Sequence, residues 1–182
     1  MPKIASLEDL FVDQMKDLYN AEKQLTRALP KMAKASNAPE LRQVIERHLE
    51  VTKRQAERLE KLFEEMGLPA KGKTCQGMKG LIEEGQELVN EKIDPEVLDA
   101  GIIGAAQRVE HYEIAGYGTA RTIAETLGNK KAAKLLEQTL NEEKAADEML
   151  TRVAEKINTR AAESAGASES GQRSESKGSR RR

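Results

Sequence analysis

Apolar residues recur at three- and four-residue steps along most of this chain, the period of an amphipathic helix. Leu7, Leu10, Phe11, Met15, Leu18, Leu25, Leu29 and Met32 mark a first helix to about Ser36. Ser6 is placed to cap it, and Asp9 to close a capping box. Pro30 falls late in it, where a kink can form. A second helix starts with Pro39 in its first turn, runs along Leu41, Val44, Ile45, Leu59 and Leu62, and stops at Gly67-Leu68-Pro69. After a polar link over 68–77 comes a short helix, about Met78 to Asn90, too short for a full bundle member. Asp94 and Pro95 open a third long helix that ends at Gly128-Asn129. A fourth begins near Lys130 and carries Ala133, Leu136, Leu140, Leu150 and Ala154 on its face. The pattern predicts an all-α domain over 1–157: two antiparallel helix hairpins forming a four-helix bundle, with the short helix as a crossover piece. From 158 to 182 large apolar side chains almost vanish, so nothing offsets the entropy of ordering, and a disordered tail is expected.

Each long helix interrupts its apolar stripe with polar residues. Glu22 falls between Leu18 and Leu25, and His48, Thr52 and Gln55 follow one another on the second helix. Glu110 and Glu113 lie one turn apart within Val109–Thr119, and Glu143 and Asp147 lie between Leu140 and Leu150. Taken singly, each has an ordinary explanation. Glu22 can pair with a neighbouring lysine, His48 can be a hydrogen-bonded core residue, and Glu143 with Asp147 can form a surface ladder with Lys144 and Arg152. Taken together they form a pattern. Laying Glu22 on Glu113 and His48 on Glu143 aligns the two hairpins, which puts Glu22, His48, Glu110, Glu113, Glu143 and Asp147 in one layer. Like charges in a packed bundle are costly unless something positive sits among them, and a metal ion is the simplest candidate. Carboxylates with one imidazole suit iron or manganese, and zinc less well. His111 adjoins Glu110 but points about 100° away, towards the periphery or the surface.

Composition narrows the class. Charged residues make up 34% of the 182 residues and aromatics 3%, which favours long helices over sheet. A net charge of -1 does not announce a nucleic-acid or membrane partner. No apolar run approaches the roughly 20 residues that span a bilayer, and the N-terminus has no apolar signal core. With Cys75 as the single cysteine, an internal disulfide and a Cys-rich zinc site are both excluded. A cytoplasmic protein is the expectation. The tail ends in a basic run from Lys177 to Arg182, which allows weak, salt-sensitive contact with nucleic acid, although a solubilising role is the simpler reading.

Several segments resemble the YciE/YciF family of bacterial ferritin-like proteins. They are Leu-Glu-Asp-Leu-Phe at 7–11, Asp-Leu-Tyr-Asn-Ala-Glu-Lys-Gln-Leu at 17–25 and Ala-Leu-Pro-Lys-Met-Ala at 28–33. His-Leu-Glu at 48–50, Cys-Gln-Gly-Met-Lys-Gly-Leu-Ile-Glu-Glu at 75–84, Val-Glu-His-Tyr-Glu-Ile-Ala at 109–115 and Asn-Glu-Glu-Lys-Ala-Ala-Asp-Glu at 141–148 continue the likeness. The resemblance implies a ferritin-like four-helix bundle, often a homodimer, with a di-metal site and a stress-associated role. Rubrerythrins, which are related, place Glu-x-x-His on two helices. Helix two of this chain departs from that with His48, Thr52 and Gln55, so one metal position is expected to be poorly liganded.

Two functions follow as expectations. In the first, the bundle binds iron, di-iron by resemblance or manganese as the alternative, and oxidises Fe(II) or removes peroxide. Glu113 and Glu143 would bridge or flank the pair, and Tyr19 and Tyr112 either hydrogen-bond to ligands or, equally, serve core or boundary packing. In the second, the polar layer is structural, the protein is non-catalytic, and the dimer and tail contact DNA or protein partners.

Overall fold

The computed structural model describes residues 4–178, with side chains through Glu163. Five helices follow one another: α1 (Leu7–Ala35), α2 (Pro39–Glu65), α3 (Gln76–Asn90), α4 (Pro95–Thr126) and α5 (Lys130–Gly178). α1 pairs with α2 and α4 with α5, and the hairpins meet through α1–α4 and α2–α5 contacts. α3 crosses between the hairpins and packs on α4 and α1. The expected four-helix bundle with a crossover helix is the observed fold. No helix among the described residues is long and apolar enough to cross a membrane.

Local chemistry sets the ends. The Ser6 hydroxyl accepts from the Asp9 amide at 3.0 Å, and Asp9 accepts from the Ser6 amide at 3.1 Å, completing the capping box. Gly67 and Gly128 follow α2 and α4 at φ of 65° and 73°, where a side chain would be strained. α1 continues through Pro30, which lies on its exposed side and lacks the amide for one intrahelical bond.

The α1–α2 turn is held from across the bundle. The buried Asp99 of α4 accepts from the Asn37 amide at 2.8 Å and the Ala38 amide at 2.7 Å. Asp99→Ala leaves both amides without that acceptor and is expected to destabilise the fold by about 1–3 kcal/mol. Urea unfolding measures it, and an unchanged midpoint would remove Asp99 as the link between the hairpins.

Two apolar clusters fill the bundle. One gathers Leu25, Leu29, Leu41, Ile45, Val109 and Leu150, the other Phe11, Leu18, Leu59, Phe63, Tyr117 and Leu140. On every long helix the change from one cluster to the other falls at a polar residue. Glu22 separates Leu18 from Leu25, Glu113 separates Val109 from Tyr117, and Glu143 separates Leu140 from Leu150. α1 and α4 approach closely beside this layer: a Cβ on Gly116 would lie 2.8 Å from Leu18 Cδ2.

α5 reaches beyond the expected domain boundary at 157. Ile157 is buried and the Arg160 guanidinium pairs with Glu40 of α2, so the bundle holds α5 for at least another turn. The helical backbone extends to Gly178. Most of the expected disordered tail, including the basic end at Arg180–Arg182, lies outside the residues whose side chains are described.

Candidate metal centre

Four side chains converge between the two apolar clusters. His48, Glu110, Glu113 and Glu143 each offer a ligand atom, and these atoms all lie within 4.8 Å of one another. His48 Nε2 is 3.3 Å from Glu110 Oε1 and 3.9 Å from Glu143 Oε2. The nearer of these is within ion-pair distance but is not aligned as a hydrogen bond, since Nε2 has no bonded partner. Glu22 adjoins this group. It is fully buried, its strongest charged neighbour is Glu143, and it is the foremost charged neighbour of Glu113. The structure thus brings five of the six expected residues into one layer.

Asp147 is the exception. It is 22% exposed, and it accepts from Gln107 Nε2 at 3.0 Å and faces His111 Nε2 at 3.5 Å. One turn beyond Glu143, α5 has already turned this position to the rim. His111 is 68% exposed, as its angle from Glu110 predicted. Of the neighbouring acids on α5, Glu142 pairs across to Arg58 of α2 at 2.9 Å and Glu148 pairs along the helix with Arg152 at 3.7 Å.

Of the two alternatives for Tyr19 and Tyr112, the structure takes the one away from the ligands. Tyr19 donates to Glu60 at 2.7 Å, and Tyr112 donates to Asp17 at 2.6 Å and lies 2.9 Å from the Cys75 thiol. Neither touches a candidate ligand. Tyr117 does: it is fully buried and its hydroxyl donates to Glu22 Oε1. Its spacing of four from Glu113 puts it on the same face, a signal the sequence carried. Gln55 was visible only as a polar break. Its Nε2 donates to Glu143 Oε1 and, at 3.2 Å, to Glu142. Arg58, three residues on, donates to Glu142 at 2.9 and 3.0 Å and to Thr139 at 2.5 Å. Its charge also reaches Glu22 and Glu143.

Burial dominates the electrostatics. It pushes the Glu22, Glu110 and Glu113 carboxyls well above the usual range, and the neighbouring carboxylates push them further. Burial raises Glu143 to about 7, against the lowering pull of the Gln55 hydrogen bond and the Arg58 charge. Burial lowers His48 to about 4. Without a cation, the layer therefore stores protons on its carboxyls and keeps the imidazole neutral.

The donor set fits a metal ion. Glu22 Oε2, His48 Nε2, Glu110 Oε2, both Glu113 oxygens and Glu143 Oε2 are buried with no hydrogen-bond partner. Unpaired buried polar atoms are rare in folded proteins, and a cation among His48, Glu110, Glu113 and Glu143 would satisfy one such atom from each. A neutral imidazole with carboxylates is a donor set for iron, manganese or zinc.

Known proteins agree with the fold. Residues 6–163 match the family described as a domain of unknown function, DUF892. Protein YciF of Escherichia coli K12 is 51% identical over 150 residues, covering 82% of this chain and 90% of YciF. The crystal structure of the E. coli stress protein YciF superimposes with a TM-score of 0.83 at 49% identity, covering 86% of this chain and 99% of that one. YcfI of Rhodopseudomonas palustris gives 0.80 at 44% identity, with 82% and 96% covered. A Xanthomonas campestris protein at 23% identity and a TM-score of 0.70, covering 88% and 99%, shares the fold. The chain belongs to the DUF892 family, and its relatives are the YciF proteins that its own motifs resemble.

Proposed function

We propose that this chain is a metal-binding protein of the stress-associated YciF type, holding iron in the polar layer of its bundle. One observation carries this reading: five converging acid and imidazole side chains have buried ligand atoms without partners. His48, Glu110, Glu113 and Glu143 would hold a first ion. Glu22, with Glu113 and Glu143 shared, would hold a second less tightly. At that end Tyr117 already donates to Glu22, Gln55 donates to Glu143, and the Arg58 charge reaches both acids. These groups supply part of the positive potential that a second ion would bring. Iron would supply oxidation of Fe(II) by dioxygen or peroxide, the reaction class expected from the resemblance. The residues themselves fix the ligand positions, exclude bulk water and release protons when an ion arrives.

Anaerobic titration of the metal-free protein with Fe(II), followed by calorimetry, tests this. One tight site and a weaker second one are expected, with the tight site lost in Glu110→Gln. Absence of binding in the unaltered protein would leave the polar layer as a structural network of protonated carboxyls.

A further inference from the structure

The polar layer is closed on most sides. Glu22 and Glu143 are 0% exposed, Glu113 1% and Glu110 2%, whereas His48 keeps 8%. His48 also lines a cavity of about 210 Å³ between α2 and α5. Its Nε2 points inward to Glu110 and Glu143, so the imidazole ring separates the cavity from the candidate metal position. Val44 and Val51 of α2 and Ala145, Ala146 and Met149 of α5 form the walls, with the exposed Arg47 of α2 at the rim. The opening has a local cause. Between Leu140 and Leu150, α5 presents two alanines towards α2, and their short side chains leave the gap unfilled. Glu142 borders the cavity too, but Arg58 and Gln55 hold its carboxylate.

We propose that this cavity is the site through which a small uncharged oxidant, dioxygen in chemical class, is bound and passed to the metal centre. The inference rests on the metal-binding reading above and names the molecule that site would admit. Charge selects the occupant. A metal cation entering past the Arg47 charge and between valines, alanines and a methionine would be repelled and lose hydration, whereas dioxygen loses almost none. Size admits it as well. A volume equal to the liquid share of roughly seven waters takes a small molecule. Position completes the case, because the cavity ends on the most exposed of the five converging residues, His48.

Xenon is the probe for the metal-free protein, since it enters apolar cavities by the same physics. Xenon NMR or a xenon-pressurised crystal should show saturable occupancy beside His48. Ala146→Phe should abolish it, and Met149→Ala should retain it. Ala146 is only partly buried, so the larger ring can be placed without disturbing the core. In the iron-loaded protein, Ala146→Phe should leave iron stoichiometry unchanged and slow oxidation by dioxygen by about tenfold or more. Oxidation by hexacyanoferrate(III), which accepts electrons without entering the cavity, should keep its rate. Iron binding with no xenon beside His48, or with full-rate oxidation in Ala146→Phe, overturns the access route alone. A concentration-dependent dimer lost in Ala146→Phe also overturns it, in favour of a second copy on this face. Failure of the unaltered protein to bind iron overturns the metal-binding reading, and this inference with it.

Discussion

Glu113→Gln is expected to make the metal-free protein more stable and the metal-loaded protein less stable than the unaltered one. Glu113 is fully buried, both its oxygens lack partners, and its strongest charged neighbours are the carboxyls of Glu22 and Glu143. At neutral pH this carboxyl stays in the bundle only by holding a proton that the unfolded chain would release. An amide of the same shape needs no proton, and the expected gain is on the order of 1–3 kcal/mol. Metal reverses the sign. Glu113 is one of the four converging candidate ligands and would be shared with the proposed second position, so losing it should weaken binding by more than the roughly 10–100-fold seen for outer partners of a ligand. An ion at a thousand times its dissociation constant stabilises by about 4 kcal/mol, or about 10 °C in a domain of this size. That increment should be present in the unaltered protein and nearly absent in Glu113→Gln. Thermal melts with chelator and with Fe(II), Mn(II) or Zn(II) decide it. A mutant that is less stable without metal would show that the carboxyl is already satisfied, and would remove the case for a cation.

The pH dependence of the metal-free protein is the second large effect. Glu143 has a folded value of about 7 against 4.5 for the free group. Below 4.5 both states are protonated and there is no penalty. Between 4.5 and 7 the unfolded chain gives up a proton that the folded protein keeps, so stability falls with rising pH, by about 3 kcal/mol from this group. His48 works in the opposite direction. Its folded value of about 4 lies below the free value of 6.5, so it costs stability as pH falls between these limits, again by about 3 kcal/mol. Over their shared window the two slopes nearly cancel. Glu22, Glu110 and Glu113, all raised, then set the net sign: the metal-free protein weakens as pH rises. Bound metal should invert this trend, because an ion displaces those protons and binds more tightly as pH rises. Urea unfolding from pH 5 to 9 with chelator, repeated with metal, measures both slopes. Stability that rises with pH in chelator would contradict the protonated layer. Calorimetry of metal binding in buffers of different ionisation enthalpy should register proton release.

Much of this protein was legible in its sequence, because the determining interactions are local. The 3.6-residue period, the Ser6–Asp9 box, Pro39 and Pro95 at helix starts and the glycines after α2 and α4 act within a turn or two of chain. The polar layer was legible for the same reason: Glu22, His48, Glu113 and Glu143 break stripes that are otherwise apolar. Periodicity places a residue on a face, but only to within a wide arc. It could not separate Glu143 from Asp147, one turn apart on the same stripe, since the crossing of α5 over its neighbours leaves one at the centre and the other at the rim. Nor could it choose among tyrosines. Tyr19 and Tyr112 are close to candidate ligands in sequence, yet their hydroxyls go to Glu60 and Asp17, while Tyr117 reaches Glu22 on another helix. The bonds of Gln55 to Glu143 and of Arg58 to Glu142 span more than eighty residues, and the cavity beside His48 exists only because two alanines of α5 meet two valines of α2. Helices and the depth of the polar layer follow from short-range chemistry along the chain. Which donors converge, what lies between them and where the layer can be reached depend on how four helices cross, and only the tertiary structure decides that.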